Sequence, residues 1–245
     1  MSKNIQTCFK RYEKKYFLTE DQYVAFKKMI AAKIKPDKYS RYTLCNIYFD
    51  TDDYRLIRAS LEKPVYKEKL RIRSYGTPGR DDKVFTELKK KYEGVVYKRR
   101  IVTTEREAAA FLSGSGNPGR EDQISREIDY FRKFYGCTEK VFIAYDREAF
   151  QGAEDENLRI TFDTNLRYRL DRLSLSEGDY GDPITDDGRI LMEIKIPGVC
   201  PLWLCEALSS IKIAPVSFSK YGYCYTHHIL RKDSDITVKE MMLSA

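Results

Sequence analysis

The stretch KEKLRIRSY, residues 67–75, alternates strictly, with Leu70 and Ile72 on one side of an extended chain and Lys69, Arg71 and Arg73 on the other. The same two-faced alternation returns along the sequence. In VFTELKKK (84–91), Glu87, Lys89 and Lys91 share a face opposite Leu88, and in VYKRRI (96–101) Lys98 and Arg100 do so. NLRITFD (157–163) sets Arg159, Thr161 and Asp163 against Leu158, Ile160 and Phe162, and ILMEIKI (190–196) sets Glu193 and Lys195 against Met192, Ile194 and Ile196. The first segment puts Arg11, Glu13 and Lys15 on one side, and Arg147 lies within IAYDREAF. Strands are expected over 43–50, 67–75, 83–91, 95–102, 141–148, 157–164 and 189–196, so strand follows strand with few intervening helices, the pattern of an antiparallel α+β fold.

Helical signals lie between these runs. A capping box Thr19-x-x-Gln22 opens a helix expected to reach Ile34 and to stop at Pro36, and Thr104-x-x-Glu107 opens a shorter one ending in the Gly/Ser-rich loop from Ser113 to Gly119. Ile124, Ile128, Phe131 and Tyr135 fall on one stripe closed by Gly136, Pro201 to Ile211 carries the lone Trp203, and Ser219 to Leu230 forms the last helix. An ordinary half-exposed sheet would also alternate, with its polar face in water. Here, however, that face repeats Arg-x-Arg and Glu-x-Lys with few Ser, Thr or Gln, and helices are available to cover the apolar faces. Helices wrapped outside a closed sheet turn the charged face into a barrel interior. A lining of ammonium and guanidinium groups repels itself when empty and calls for a polyanion, phosphate above all, which Arg grips bidentately. The interleaved Glu residues suit a divalent cation bridging to that anion.

Composition agrees with this reading. The 245 residues carry 44 Lys+Arg against 37 Asp+Glu, a net charge of +7, with 42% hydrophobic residues, enough for a core and too many for a disordered chain. No apolar run reaches membrane-spanning length and the N-terminus lacks a secretory h-region, so a cytoplasmic domain over 1–230 with a tail at 231–245 is expected. Cys8, Cys45, Cys137, Cys200, Cys205 and Cys224 are scattered with no C-x-x-C pair and read as reduced thiols. The two histidines, His227 and His228, are adjacent and read as packing or surface residues. The loop Gly114-Ser115-Gly116-Asn117-Pro118-Gly119 lacks the Gly-Lys-Ser/Thr of a P-loop.

FKRYEKKYFL (9–18), NIYFDT (46–51), KLRIRSYG (69–76), VFTELKKK (84–91), YKRR (97–100), YDREAF (145–150), LRITFD (158–163), LMEIKI (191–196) and SFSKY (217–221) occur in one order from residue 9 to about 230. Together they resemble the catalytic domain of the vacuolar transporter chaperone, the polyphosphate polymerase branch of the CYTH, or triphosphate tunnel, superfamily. The resemblance implies an antiparallel eight-stranded β-barrel with flanking helices, acting on ATP and inorganic polyphosphate or triphosphate with Mn²⁺ or Mg²⁺. It assigns phosphate contacts to Lys15, Arg71, Arg73, Lys89, Lys98, Arg147, Arg159 and Lys220, and metal binding to Glu193, with Lys195 beside it and Ser219 next to Lys220. Strand parity adds Glu87 and Glu13 as further metal ligands and Lys69, Lys91 and Arg100 as lining, and Lys220 opens a helix whose free N–H groups also suit phosphate.

The wider superfamily begins E-x-E-x-K. Here Arg11 gives R-x-E-x-K, a change that suits a site gripping a longer phosphate chain over plain triphosphate hydrolysis. Eukaryotic members of the branch also carry a regulatory domain and membrane segments; neither is in this sequence, so regulation and export of the polymer by this chain alone are not expected, and a membrane-protein partner is one candidate recipient. The oligomeric state is not addressed by the sequence. A triphosphatase of the same fold and a non-catalytic binder of polyphosphate or nucleic acid are the competing readings. Nucleic acid is disfavoured because Glu87 and Glu193 interrupt the basic face.

Overall fold

A computed structural model describes residues 12–93, 95–117, 122–196 and 198–230. Nine strands form one antiparallel sheet: β1 (Tyr12–Leu18), β2 (Ile34–Asp50), β3 (Tyr66–Tyr75), β4 (Lys83–Tyr92), β5 (Val95–Thr104), β6 (Thr138–Gly152), β7 (Arg159–Arg169), β8 (Asp182–Pro183) and β9 (Ile190–Ile196). Their order is β1-β9-β7-β6-β2-β3-β4-β5, with the two-residue β8 paired to β7. The path ends at β1 and β5, so the sheet curls into a barrel-like wall whose edge strands share no ladder among the described residues.

Helices cover the outer faces, as the alternation requires. Leu70, Ile72, Val84, Leu88 and Ile101 pack under α3 (Glu105–Ser113) and α4 (Gln123–Tyr135) through Ala108, Phe111, Leu112, Ile128 and Phe131. On the other side Tyr16, Leu18, Ile160, Phe162, Met192 and Ile194 pack with Phe26 and Ile30 of α1 (Glu20–Ile30) and Leu204 and Ala207 of α5 (Leu202–Ser210). A third apolar cluster lies on the inner face, where Tyr48, Ile57, Val141, Ile143, Tyr145 and Leu191 meet Tyr221, Cys224 and Tyr225. There α6 (Lys220–Cys224) and the π-helical turn Tyr225–Ile229 fill part of the barrel. Both capping boxes form as read: Thr19 and Thr104 each accept from the third residue of the helix they open. Gly136 closes α4 at φ 64°, the left-handed conformation a glycine adopts freely.

Two local expectations need revision, and one helix carried no expectation. The first helix ends at Ile30, followed by a 3₁₀ turn over Ala31–Lys33, and Ile34 already belongs to β2. Pro36 therefore lies inside a strand, opposite Phe150, where the ladder slips between Pro36 and Arg41 and the missing N–H costs little. The helix α2 (Arg55–Leu61) has no capping signal of its own. Instead the buried Asp50 accepts from the N–H groups of Leu56 and Ile57 at 2.8 and 3.0 Å. Finally, the helix read over Ser219 to Leu230 divides into five α residues and a π turn. Arg11, Cys8, Pro118, Gly119 and the tail 231–245 lie outside the described residues. Among those residues no helix is long and apolar enough to cross a membrane.

Candidate phosphate-binding tunnel

Strand register brings the basic residues together in rows across the inner face. Tyr48 on β2 pairs with Arg71, Arg71 with Glu87, and Glu87 with Arg100; one step along, Lys69 pairs with Lys89 and Lys89 with Lys98. Lys67 and Lys91 form the next row out. On the far wall Glu13 pairs with Lys195 and Lys195 with Arg159, Lys15 pairs with Glu193, and Arg147 pairs with Asp163. Strand parity alone thus places Lys15, Arg71, Arg73, Lys89, Lys91, Lys98, Arg100, Arg147, Arg159 and Lys195 on one surface with Glu13, Glu87 and Glu193.

Glu87 is the hub of the β3–β5 wall. It is only 1% exposed. Arg71 donates to its Oε2 at 2.9 and 2.7 Å, and Lys98 (2.6 Å) and Arg100 reach Oε1. Burial would raise this carboxyl, yet Arg71, Arg73 and Lys98 hold it well below the usual carboxylate range. Both oxygens are engaged by cations, so the expectation that Glu87 ligates a metal meets a group already committed to holding guanidinium planes in place. Arg73 is aimed by neutral acceptors, donating to Asn46 Oδ1 at 2.8 Å and Tyr145 Oη at 3.3 Å, while Arg71 also donates to Tyr48 Oη at 3.2 Å. The rings of Tyr48 and Tyr145 pack in the inner apolar cluster while their hydroxyls face the guanidinium groups. The signal was present in NIYFDT, since residues 46, 48 and 50 share one parity.

Lys69 and Lys89 make no ion pair of this kind, although Glu13 and Glu193 act on Lys89 from across the tunnel. Among the described residues neither has a carboxylate within ion-pair distance, and Lys69 donates only to Ser219 Oγ at 3.1 Å. Burial first, then the like charges of Lys89, Lys67 and Lys15, push the Lys69 ammonium down to about 8. Burial, with Arg71 and Lys15, lowers Lys89 in the same direction against the opposing pull of Glu13 and Glu193. Lys98, mainly through burial, falls to about 8 despite Glu87.

The opposite wall is built of pairs. Lys15 lies 3.1 Å from Glu13 and 3.9 Å from Glu193, and Lys195 lies 2.9 Å from Glu193. Burial would raise Glu193, but Lys195, Lys15 and Arg147 keep it ionised far below its ordinary range. For Glu13, burial and the Glu193 charge push upward, and Lys15, Lys89 and Lys195 outweigh them. Asp163 is fully buried and takes Arg147 at 2.6 and 2.8 Å and Lys220 at 2.6 Å. Arg159 is paired with Asp37, a partner with no signal in the sequence. Ser219 caps α6 by accepting from Gly222 N at 3.2 Å, so the N–H groups expected for phosphate are few and partly used by that cap. His227 stacks on Tyr223 at 3.8 Å and His228 on Tyr168 at 4.4 Å, both packing roles.

With this geometry in view, comparisons with known proteins point one way. The model of the VTC domain family matches residues 10–228. The vacuolar transporter chaperone complex subunit 4 of Trypanosoma brucei brucei is 25% identical over 74% of this chain, and that of Trypanosoma cruzi is 24% identical over 73%. This chain covers 28% and 27% of those two proteins, little more than a quarter of their length. Among solved structures, that of a candidate adenylate cyclase from Bacillus halodurans superposes with a TM-score of 0.54 over 87% of this chain and 96% of that one. At 15% identity this likeness concerns the fold.

Proposed function

The chain belongs to the VTC domain family, and from that premise we propose that it is a polyphosphate polymerase, moving the γ-phosphoryl group of ATP onto the end of a growing polyphosphate chain. The observation that carries this reading is the Lys69–Lys89 pair, half-buried ammonium groups with no carboxylate within ion-pair distance among the described residues. Such charge is costly in an empty barrel and is relieved by a bound polyanion. The subunit 4 relatives, named for the vacuolar transporter chaperone complex, support the assignment.

Phosphoryl transfer asks the protein mainly for positioning and charge stabilisation. A terminal phosphate oxygen of the acceptor attacks the γ-phosphorus, the bond to the β,γ-bridging oxygen breaks, and ADP leaves with the electron pair. The attacking oxygen is already ionised at neutral pH, so no general base is required, in keeping with histidines that only pack. Arg71 and Arg73, aimed by Glu87, Tyr48, Asn46 and Tyr145, are placed to hold the transferring group. Lys69, Lys89, Lys91 and Lys98 offer the charge for the chain. Arg147 and Lys220 share the single carboxylate of Asp163, which fixes them as rigid donors.

A divalent cation fits the paired wall. Glu13 and Glu193 lie close enough for one charge to raise the other, and Lys15 sits between them. Mg²⁺ and Mn²⁺ are hard ions that take one or two carboxylates and complete their shell with substrate phosphates and water. Among the described residues no cluster of three or more His, Cys, Asp or Glu gathers, which suits an ion that arrives with its substrate. Glu193 and Glu13 would hold it, and it would neutralise charge on the triphosphate. We read residues 1–230 as one tunnel domain that works on the cytoplasmic side and hands polymer to a membrane partner.

The test is purified protein with ATP and Mn²⁺, following ADP, free phosphate and polymer together, beside Glu193→Ala. The expected result is ADP with a polymer ladder and little free phosphate, reduced about 100-fold or more in the variant. Free phosphate without polymer would replace the reading by a triphosphatase, and absence of turnover would replace it by a binder.

A further inference from the structure

The cationic stripe of β3 ends differently at its two ends. Lys67, Lys69, Arg71 and Arg73 occupy successive inward positions, and the next inward position after Arg73 is Tyr75. That ring is 50% exposed. It meets Tyr42 of β2 edge-on at 5.3 Å and Phe85 of β4 at 5.7 Å. Phe85 is the register partner of Arg73 and has the Arg100 guanidinium over its face at 4.5 Å. Tyr42 is the register partner of Arg147 and lies within electrostatic reach of Arg159 and Asp37. Three half-open aromatic rings therefore join the two arginine-bearing walls at one end of the stripe. Val102, beside Phe85, adds 43% exposed apolar surface there.

The other end of β3, β4 and β5 is unlike this. Its inward positions are Lys67, Lys91 and Val96, and no aromatic residue is among them. The tyrosines of that end, Tyr66, Tyr92 and Tyr97, pair on the outer face. A phosphate chain has no use for aromatic rings, whereas a nucleobase does: stacking on such rings contributes about 1–3 kcal/mol per base. Rings set directly beside arginines match a ligand that is flat and apolar at one end and polyanionic at the other.

We propose that Tyr42, Tyr75 and Phe85 form the base-stacking subsite for the nucleoside triphosphate donor. The nucleotide enters by this mouth with its phosphates on Arg73, Arg100 and Arg147, and the lysine end at Lys67 and Lys91 receives the polymer. This rests on the reading of a nucleoside triphosphate as phosphoryl donor. The subsite is indifferent to the identity of the acceptor and selects donor over inorganic triphosphate through the base alone.

The experiment measures Kd for ATP and for inorganic tripolyphosphate with the full chain, in wild type, Tyr75→Ala and Tyr75→Phe. Tyr75 is half exposed, so its truncation spares the core. Tyr75→Ala is expected to weaken ATP about tenfold, within the range of one lost stacking contact, and to leave tripolyphosphate within about twofold. Tyr75→Phe keeps both affinities. Equal weakening of the two ligands, or no change in either, overturns the subsite. The outcome is separable from the polymerase assay: selective loss of ATP in a protein that makes no polymer keeps the subsite and removes the polymerase, and a polymer-forming protein whose Tyr75→Ala variant binds ATP normally does the reverse.

Discussion

The two walls of the tunnel carry similar residues and opposite electrostatics. On β3, β4 and β5 the inward cations Lys67, Lys69, Arg71, Arg73, Lys89, Lys91, Lys98 and Arg100 face a single inward carboxylate, Glu87. On β1, β9, β7 and β6, Lys15, Lys195, Arg147 and Arg159 are matched by Glu13, Glu193 and Asp163 on the same strands and by Asp37 on β2. The first wall sets eight cations against one carboxylate of its own. The second is balanced before any ligand arrives. Under the proposed polymerase reading, chain gripping belongs to the former and fixed geometry at the reacting phosphate to the latter, because paired donors are already oriented and need little reorganisation.

The largest break in this contrast is expected from Asp163→Asn. It leaves Arg147 and Lys220 facing an uncharged group in a fully buried site, and loss of one partner of a buried ion pair costs about 3–5 kcal/mol. Urea unfolding would read the loss. A loss below about 1 kcal/mol would mean that the paired wall is not rigid in the sense argued.

A sharper comparison sets Lys89→Met against Lys195→Met. The first removes a half-buried charge with no carboxylate within ion-pair distance among the described residues, so the ligand-free protein is expected to gain stability, on the order of 1 kcal/mol, while tripolyphosphate binding weakens by about 1.5–3 kcal/mol, the worth of a charge-assisted hydrogen bond. The second strips Glu193 of its nearest cation and is expected to lose stability. Thermal unfolding with and without tripolyphosphate distinguishes them, and parallel behaviour of the two variants would erase the distinction between the walls.

The smallest effect is in pH. Lys69 and Lys98 are held at about 8 in the empty tunnel, so both are mostly protonated at pH 7 and lose charge as pH rises through that value. A bound polyanion favours the protonated forms, so tripolyphosphate affinity is expected to fall as pH rises from 7 to 9, by about tenfold for each group that loses its charge. In Lys69→Met the dependence should flatten. The folded state also binds fewer protons than the unfolded chain between the lowered value of about 8 and the ordinary 10.5, so these lysines make the empty protein more stable, not less, as pH rises across that window.

Much of this was legible in the sequence because strand period is 2 and a charge cannot change face without changing register. Lys69, Arg71 and Arg73 beside Glu87, Lys89 and Lys98 needed nothing more than counting. Counting does not say whom a side chain meets: parity put Glu87 and Glu193 on the same surface, and only the structure separates a carboxylate holding three cations on one wall from one that shares Lys15 with Glu13 on the other. The helix α2 was invisible because its capping group, Asp50, belongs to the preceding strand. Pro36 was misread because the rule that proline stops helices says nothing about a slipped ladder that tolerates it.

The motif NIYFDT also takes on a different meaning. Asn46, Tyr48 and Asp50 carry no positive charge, yet Asn46 aims Arg73, Tyr48 aims Arg71, and Asp50 holds both the first turn of α2 and the hydroxyl of Tyr221 at 2.9 Å. This row works like the mould of a casting: it gives the basic lining its shape without being part of the finished surface. Grafting the arginines and lysines alone onto another curled sheet would transfer the charge and leave behind the alignment, and a comparison of related tunnels by their cations alone would overlook the residues that make those cations point anywhere in particular.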